Sequence, residues 1–317
     1  MLRAPWAVVL SPLLLAFFIQ AVAAANGFPP RYTLQAESVW QLNLPAGERF
    51  DASGLLLRSN GDLLTVNDRG PSLYRIEFLP QTHAANLILV PDCFTPRQLA
   101  PWAAEKFGRY DSEGIAEDAQ GRLYLCEEAN RWILRCDPRT KTVERLDIDW
   151  SSVKRYFSPS DRNASFEGVA VGDGKLFVAN ERAAGRIIVV NLADLKILDH
   201  FAVRPAGSLL PDMHYSDLSW FEGALYVLLR EQHTILRVDP ATKKVQAEFN
   251  FKKMEHEPEH IYETRFPGIG VMEGLAVDKK YFWLCTDNNG LPRKKFPNDT
   301  RPSLFKCRRP DAEGSEK

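Results

Sequence analysis

The sequence predicts an all-β fold, a single β-propeller of five four-stranded blades, on three observations. A short Glu-Gly-apolar pattern recurs at blade spacing. Each copy opens an alternation of apolar strands and polar turns. A good strand near the amino terminus has no blade of its own and can close the last one.

The recurring segments are Ala52-Ser-Gly-Leu-Leu, Ser112-Glu-Gly-Ile-Ala, Phe166-Glu-Gly-Val-Ala, Tyr215-Ser-Asp-Leu-Ser and Met272-Glu-Gly-Leu-Ala. A polar turn such as Ser59-Asn-Gly-Asp or Gly172-Asp-Gly-Lys follows each. Next comes a second apolar strand: Leu63 to Val66, Leu123 to Cys126, Leu176 to Ala179, Leu225 to Leu228 and Phe282 to Cys285. Apolar runs bounded by such turns read as hairpins. Third strands are predicted over Leu73 to Phe78, Trp132 to Asp137, Arg186 to Asn191, Thr234 to Asp239 and Ser303 to Arg308, with a fourth at places such as Val143 to Ile148. The fifth copy ends without a fourth strand, and Ser38 to Pro45 is the strand that completes it. Such closure covers strand edges that an open ring exposes. A sixth, degenerate blade hidden in the connectors is the alternative.

The repeat period, about 55 residues, exceeds the roughly 40–50 of common propeller repeats. The excess lies in connectors at 91–111, with a helical pattern from Pro96 to Phe107, and at 150–165, 204–214 and 252–271. All four are expected on one face of the ring, beside the turns that join second to third strands.

The first residues carry Arg3, an apolar run from Trp6 through Val22 and small residues from Ala21 to Ala25, the pattern of a secretory leader. The expected organisation is a leader over 1–25, the propeller over 26–310 and a polar tail over 311–317, in a periplasmic or secreted, monomeric protein with no membrane span after cleavage. With 40 basic and 41 acidic residues the net charge is -1, so no overall field gathers nucleic acid or anionic lipid. In an exported chain the five cysteines can pair. Cys126 and Cys136 flank one hairpin and Cys285 and Cys307 occupy the matching places in another. Disulfides Cys126–Cys136 and Cys285–Cys307 are therefore expected, with Cys93 left over; the alternative is that all five are small apolar core residues. Asn163-Ala-Ser and Asn298-Asp-Thr match the glycosylation pattern.

The innermost strand of each blade starts at the elaborated face, so Glu113, Glu167 and Glu273 are expected to point toward a common axis, with Ser53 and Ser216 in the equivalent places. The second strands end at the same face and deliver Asp68 and Arg69, Glu128, Glu181 and Arg182, Arg230 and Asp287 as a second ring. Crowded carboxylates repel one another unless they take up protons or share a cation. Oxygen-only donors favour calcium over zinc. The competing reading is that Glu and Gly serve the blade, Glu bonding to nearby amides and Gly allowing close approach at the axis. His214 and His233 fall near this face and read as ordinary loop histidines. No nucleophile elbow or nucleotide-binding glycine loop is present.

These residues, Ser-Gly-Leu, Asn67-Asp68-Arg69-Gly70, the three Glu-Gly copies and Asn180-Glu181-Arg182, resemble the phytase-like domain family, also called esterase-like activity of phytase. The resemblance covers most of the chain after the leader. It implies an exported propeller similar in outline to calcium-dependent propeller phytases. It implies Glu113, Glu167 and Glu273 as the central, metal-holding acids and Asp68, Glu128, Glu181 and Asp287 as the acidic mouth. The Asp-Ala-Asp-Asp-Pro-Ala stretch of true propeller phytases is absent, and the fourth copy has Ser216-Asp217 where Glu-Gly is expected.

The function expected is calcium-dependent hydrolysis of a small anionic substrate, a phosphate ester or related ester. Glu113, Glu167 and Glu273 hold the metal, Asp68, Glu128, Glu181 and Asp287 act on the substrate, and Arg69, Arg182 and Arg230 steady the anion. The alternative is a non-catalytic propeller that binds a cell-envelope ligand or protein partner.

Overall fold

The computed structural model describes residues 27–312 other than 162–163, 183–184 and 210–212. The leader read over 1–25, the acceptor Asn163 and most of the 311–317 tail lie outside the described residues. A short strand, β1 (Arg31–Thr33), and a longer one, β2 (Ala36–Asn43), come first. Four-stranded meanders then follow in chain order. The first is β3 (Ala52–Leu57), β4 (Leu63–Asn67), β5 (Gly70–Phe78) and β6 (Ala84–Leu89). The second is β7 (Ser112–Glu117), β8 (Leu123–Glu127), β9 (Trp132–Asp137) and β10 (Thr142–Arg145). The third is β11 (Phe166–Gly172), β12 (Lys175–Asn180), β13 (Arg186–Asn191) and β14 (Ile197–Phe201). The fourth is β15 (Tyr215–Phe221), β16 (Ala224–Leu229), β17 (Thr234–Asp239) and β18 (Lys244–Asn250). The last has three strands of its own, β19 (Met272–Val277), β20 (Tyr281–Thr286) and β21 (Ser303–Arg308).

The amino-terminal strand supplies the missing one, β2 pairing antiparallel with β21. It does more than the sequence suggests, because its other edge pairs parallel with β6 and joins the last blade to the first in one sheet. β1, not anticipated, adds in parallel to the outer strand of the fourth blade. The inner strands β3, β7, β11, β15 and β19 pack side by side in a closed cycle, which makes the molecule a β-propeller.

Alternation explains why the second strands look apolar throughout. On β8, Leu123 and Leu125 enter the core shared with the first blade, whereas Tyr124 and Cys126 enter the core shared with the third. Side chains of a strand point alternately to opposite faces, and here both faces are buried. Each gap between neighbouring blades is filled this way.

The same parity overturns both expected disulfides. Cys126 and Cys136 sit in different inter-blade cores, and the register pairs Cys126 with Ile133 and Cys136 with Leu123. Cys285 and Cys307 likewise face opposite sides, paired with Leu304 and Phe282. The bond that forms is Cys93–Cys136, across 5.9 Å between Cα atoms, tying the first connector to the second blade. Cys126, Cys285 and Cys307 are buried free thiols. The connector at 91–111 is helical over Pro96–Leu99 and Ala100–Trp102 and not to Phe107; Thr95 caps it with a reciprocal bond to Gln98. No helix of the described residues is long and apolar enough to cross a membrane.

Candidate functional site

At the repeated Glu-Gly position every inner strand breaks register with its neighbour: between Ala52 and Leu55, Ser112 and Ile115, Phe166 and Gly168, Tyr215 and Asp217, and Met272 and Gly274. A bulge takes one residue out of the ladder and re-aims its side chain. Here that residue is the glutamate in three blades, turned toward the channel, and Ser53 or Ser216 in the first and fourth. The glycine after it answers to crowding at the axis. A Cβ on Gly114 would lie 2.6 Å from the Val169 nitrogen, and one on Gly168 would lie 2.6 Å from the Asp217 Cα. Glycine is therefore blade architecture, as the competing reading holds. The glutamates instead bond to side chains of the mouth, Glu113 to Asp111, Glu167 to Glu128 and Glu273 to Arg230.

The second ring is placed by an equally regular device. Directly after the second strands, the amides of Asp68, Glu128, Glu181 and Asp287 donate to the carbonyls of Asp51, Asp111, Ser165 and Val271, which precede the inner strands. Four blades thereby present a carboxylate at the same height, and the fourth blade presents Arg230 there.

These side chains line one cavity of about 760 Å³ on the elaborated face, and all ten residues singled out in the sequence belong to its wall. Ten carboxylates and six arginines surround it, an excess of acid. The acids are not evenly spread. Carboxylate oxygens of Asp111, Glu113 and Glu128 lie within 4.8 Å of one another, as do those of Glu128, Glu167 and Glu181, so Glu128 belongs to both groups. Glu273 stands apart from both, held by Arg230.

Arg230 is the cationic hub. It meets Glu181 at 2.9 Å, Glu231 at 2.8 Å and Glu273. Arg182 pairs with Glu181 and, at 3.1 Å, with Asp161. Both arginines are thus engaged with carboxylates. Arg69, 38% exposed and 3.8 Å from Asp51, and Arg109, 53% exposed and 3.9 Å from Asp68, are held loosely and face the opening. His214 lies 3.1 Å from Glu231 at the wall, whereas His233 is buried against Glu255.

Burial sets the protonation of the group. It lifts Glu128 to about 11, with Glu167 adding to the effect, and Asp68 to about 8, with Asp287 adding. Glu167 rises to about 7 and Asp287 to about 6, both mainly through burial, and Glu113 rises well above the ordinary range through burial and then Glu167. Glu231 goes the other way: burial opposes its charge, but His214 and Arg230 prevail and hold it down to about 2. Buried oxygens Oε1 of Glu128, Oε2 of Glu273 and Oδ1 of Asp68 have no hydrogen-bond partner among the described residues. A buried polar atom without a partner is costly and points to something outside the chain that satisfies it. Clustered hard oxygens with unsatisfied lone pairs are a donor set that suits a metal such as calcium.

The sequence reading missed Arg49, Arg109 and Asp111, which come from segments outside the repeat, and Asp217. The last occupies the glycine place in the fourth blade and is buried at the axis. Its carboxylate accepts from the amides of Leu275 at 2.7 Å, Leu218 at 2.8 Å and Leu55 at 3.4 Å, fastening inner strands of three blades. The one copy that departs from Glu-Gly was the available signal.

Residues 49–290 match the family described as Phytase-like, Esterase-like activity of phytase, and the chain belongs to that family. No curated protein matches it. Among solved structures, glutaminyl cyclase of Myxococcus xanthus aligns with a TM-score of 0.57 at 14% identity, covering 88% of this chain and 97% of that one. Virginiamycin B lyase of Staphylococcus aureus aligns at 0.41 and 14% identity, covering 85% of this chain and 73% of that one. The first of these likenesses is one of fold.

Proposed function

We propose that the protein is an exported hydrolase of phosphate esters or related esters that works with a divalent cation, calcium, in the cup. The observation that carries this reading is the meeting, in one cavity, of a carboxylate cluster with unsatisfied buried oxygens and of arginines that still face solvent. Glu113, Glu128 and Glu167, with Asp111, would hold the cation, and Glu273 steadies Arg230 beside it. Bound there, a divalent cation polarises the ester and lowers the pKa of bound water.

The chain's own groups do the rest. Arg69 and Arg109 take the anionic oxygens in charge-assisted hydrogen bonds. Arg182 and Arg230 fix Glu181 by ion pairs, and Arg230 with His214 holds Glu231 in its charged form, so these arginines shape the cup more than they grip the substrate. Asp68, which burial and then the neighbouring Asp287 push above the ordinary carboxylate range, is the group suited to pass a proton to the oxygen that leaves. Asp287 lines the same cavity. The Cys93–Cys136 bond agrees with an oxidising compartment outside the cytoplasm.

A second reading, a binding propeller for a cell-envelope ligand or protein partner, is favoured by Arg230, whose three ion pairs close one side of the cup. Turnover separates the two. The purified protein, with calcium and with chelator, is assayed against phosphomonoesters, phosphodiesters and carboxylesters. Calcium-dependent release of product supports the hydrolase, and no turnover across the panel leaves the binding reading in its place.

A further inference from the structure

The cup is not polar all round. On the side of the last blade, its wall is made by the connector before that blade and by the turn after β20, which contribute Phe266, Ile269 and Leu291. Phe266 is 65% exposed and Ile269 41% exposed. Large apolar side chains left open to water on a rim mark a place where something apolar docks. The cavity they share with the arginines indicates what that something is attached to.

The segment that carries them is fixed at both ends. On one side the amide of Glu263 donates to the Pro292 carbonyl at 2.9 Å, and Tyr262 bridges to Arg293. On the other, the Val271 amide donates to Glu255 at 2.9 Å, and Gly270 packs so closely on Arg230 that a Cβ would come within 2.6 Å of its carbonyl oxygen. The apolar pair is therefore a standing wall. Arg49 marks its border, lying against the turn at Gly290 while paired with Asp51.

We propose that Phe266 and Ile269 form a subsite for the apolar substituent of an anionic ligand, so that the cup prefers a phosphoryl group bearing an aryl substituent over one bearing a small or polar one. This rests on the reading of the cup as an anion site. The same connector brings Arg265 to the cavity beside them, so a phosphoryl group can be held there while its aryl substituent covers the apolar pair, whereas a compact polyphosphate leaves that pair uncovered.

The test uses ligands that cannot be hydrolysed. Phenylphosphonate and methylphosphonate are titrated into the calcium-loaded full chain by calorimetry, beside the Phe266→Ala, Ile269→Ala double variant and a Leu198→Ala control on an outer strand. Covering a phenyl ring against these two side chains corresponds to about tenfold tighter binding of phenylphosphonate. The double variant is expected to bring the two ligands within about twofold of each other while still binding methylphosphonate, which shows that the cup is intact, and the control to keep the preference. Equal affinities in the unaltered protein, a preference that survives the double variant, or binding of neither ligand would overturn the proposal. Turnover of 4-nitrophenyl phosphate is followed in parallel. A phenyl preference with no turnover of this or any other ester of the panel removes the hydrolase and leaves the subsite, whereas turnover with equal affinities removes the subsite and leaves the hydrolase.

Discussion

Glu128 is the residue on which the cluster turns, since it belongs to both groups of carboxylates and has a buried oxygen with no partner. Glu128→Gln keeps its shape and removes the carboxylate that a bound cation would take up. Calcium affinity is expected to fall by about tenfold or more, as is usual when a metal-site group is lost, while the melting temperature in chelator holds or rises; calorimetry and a thermal melt read the two. A parallel fall in stability without calcium would mark the glutamate as blade structure. The cysteines give a second test at this scale. Cys93→Ser is expected to cost about 2–4 kcal/mol in denaturant unfolding under oxidising conditions and to abolish the effect of reductant, whereas Cys126→Ser leaves that effect intact. The candidate acids of the mouth were legible one by one because each follows the Glu or Ser of its own blade's Glu-Gly or Ser-Gly step by 14 or 15 residues. The disulfide was not, because a pairing depends on which face of a strand a side chain takes and on register, and matching positions in two repeats give neither.

The elements repeat one construction, an inner strand bulged at glutamate and a second strand whose next residue bonds back across the entrance. The fourth blade alters it at three points, Ser216 for glutamate, Asp217 for glycine and Arg230 for an acid. The last two fit together: Arg230 neutralises acids at the mouth, and Asp217 fastens backbone amides at the axis. Asp217→Ala leaves buried amides of three strands without acceptors, at about 1–3 kcal/mol for each lost partner. A loss of at least about 3 kcal/mol in denaturant unfolding, or failure to fold, is expected, and a stability within 1 kcal/mol of the original would show that the amides find other partners. Most strands were legible to within a residue or two because apolar alternation and polar turns mark them. β1 was not, since a strand of three residues at an edge carries no period.

At the scale of the whole molecule the cup concentrates more negative charge than its arginines offset, and this couples stability to pH. Glu167 and Asp68 have folded values of about 7 and about 8, above the ordinary 4.5 and 3.8, so the folded state binds protons that the unfolded chain has released. Stability then falls as pH rises through that interval. Glu231, held down to about 2, has the opposite sign, and its contribution is lost only as pH drops below its ordinary 4.5. In chelator the melting temperature is therefore expected to fall between pH 5 and pH 8, and saturating calcium to flatten or reverse that slope, because cation binding needs the deprotonated acids. A flat profile in chelator would mean that the acids are already neutralised by the arginines. The repeat made the ring and the height of its acids legible; the connectors, which supply Arg109, Asp111 and the apolar wall, have no repeat against which to be read.

The seam of the ring is made by the strand near the start of the chain, which binds β21 on one edge and β6 on the other. A chain emerging amino end first presents β2 long before the strand it must meet. Until the last residues arrive, the first blade and the last remain unjoined, and the acids of the cup have no common axis. Completion of the cup thus depends on both ends of the described chain: a polypeptide clipped or stalled before Ser303 lacks not one blade edge but the means of gathering the acids and arginines of the cup.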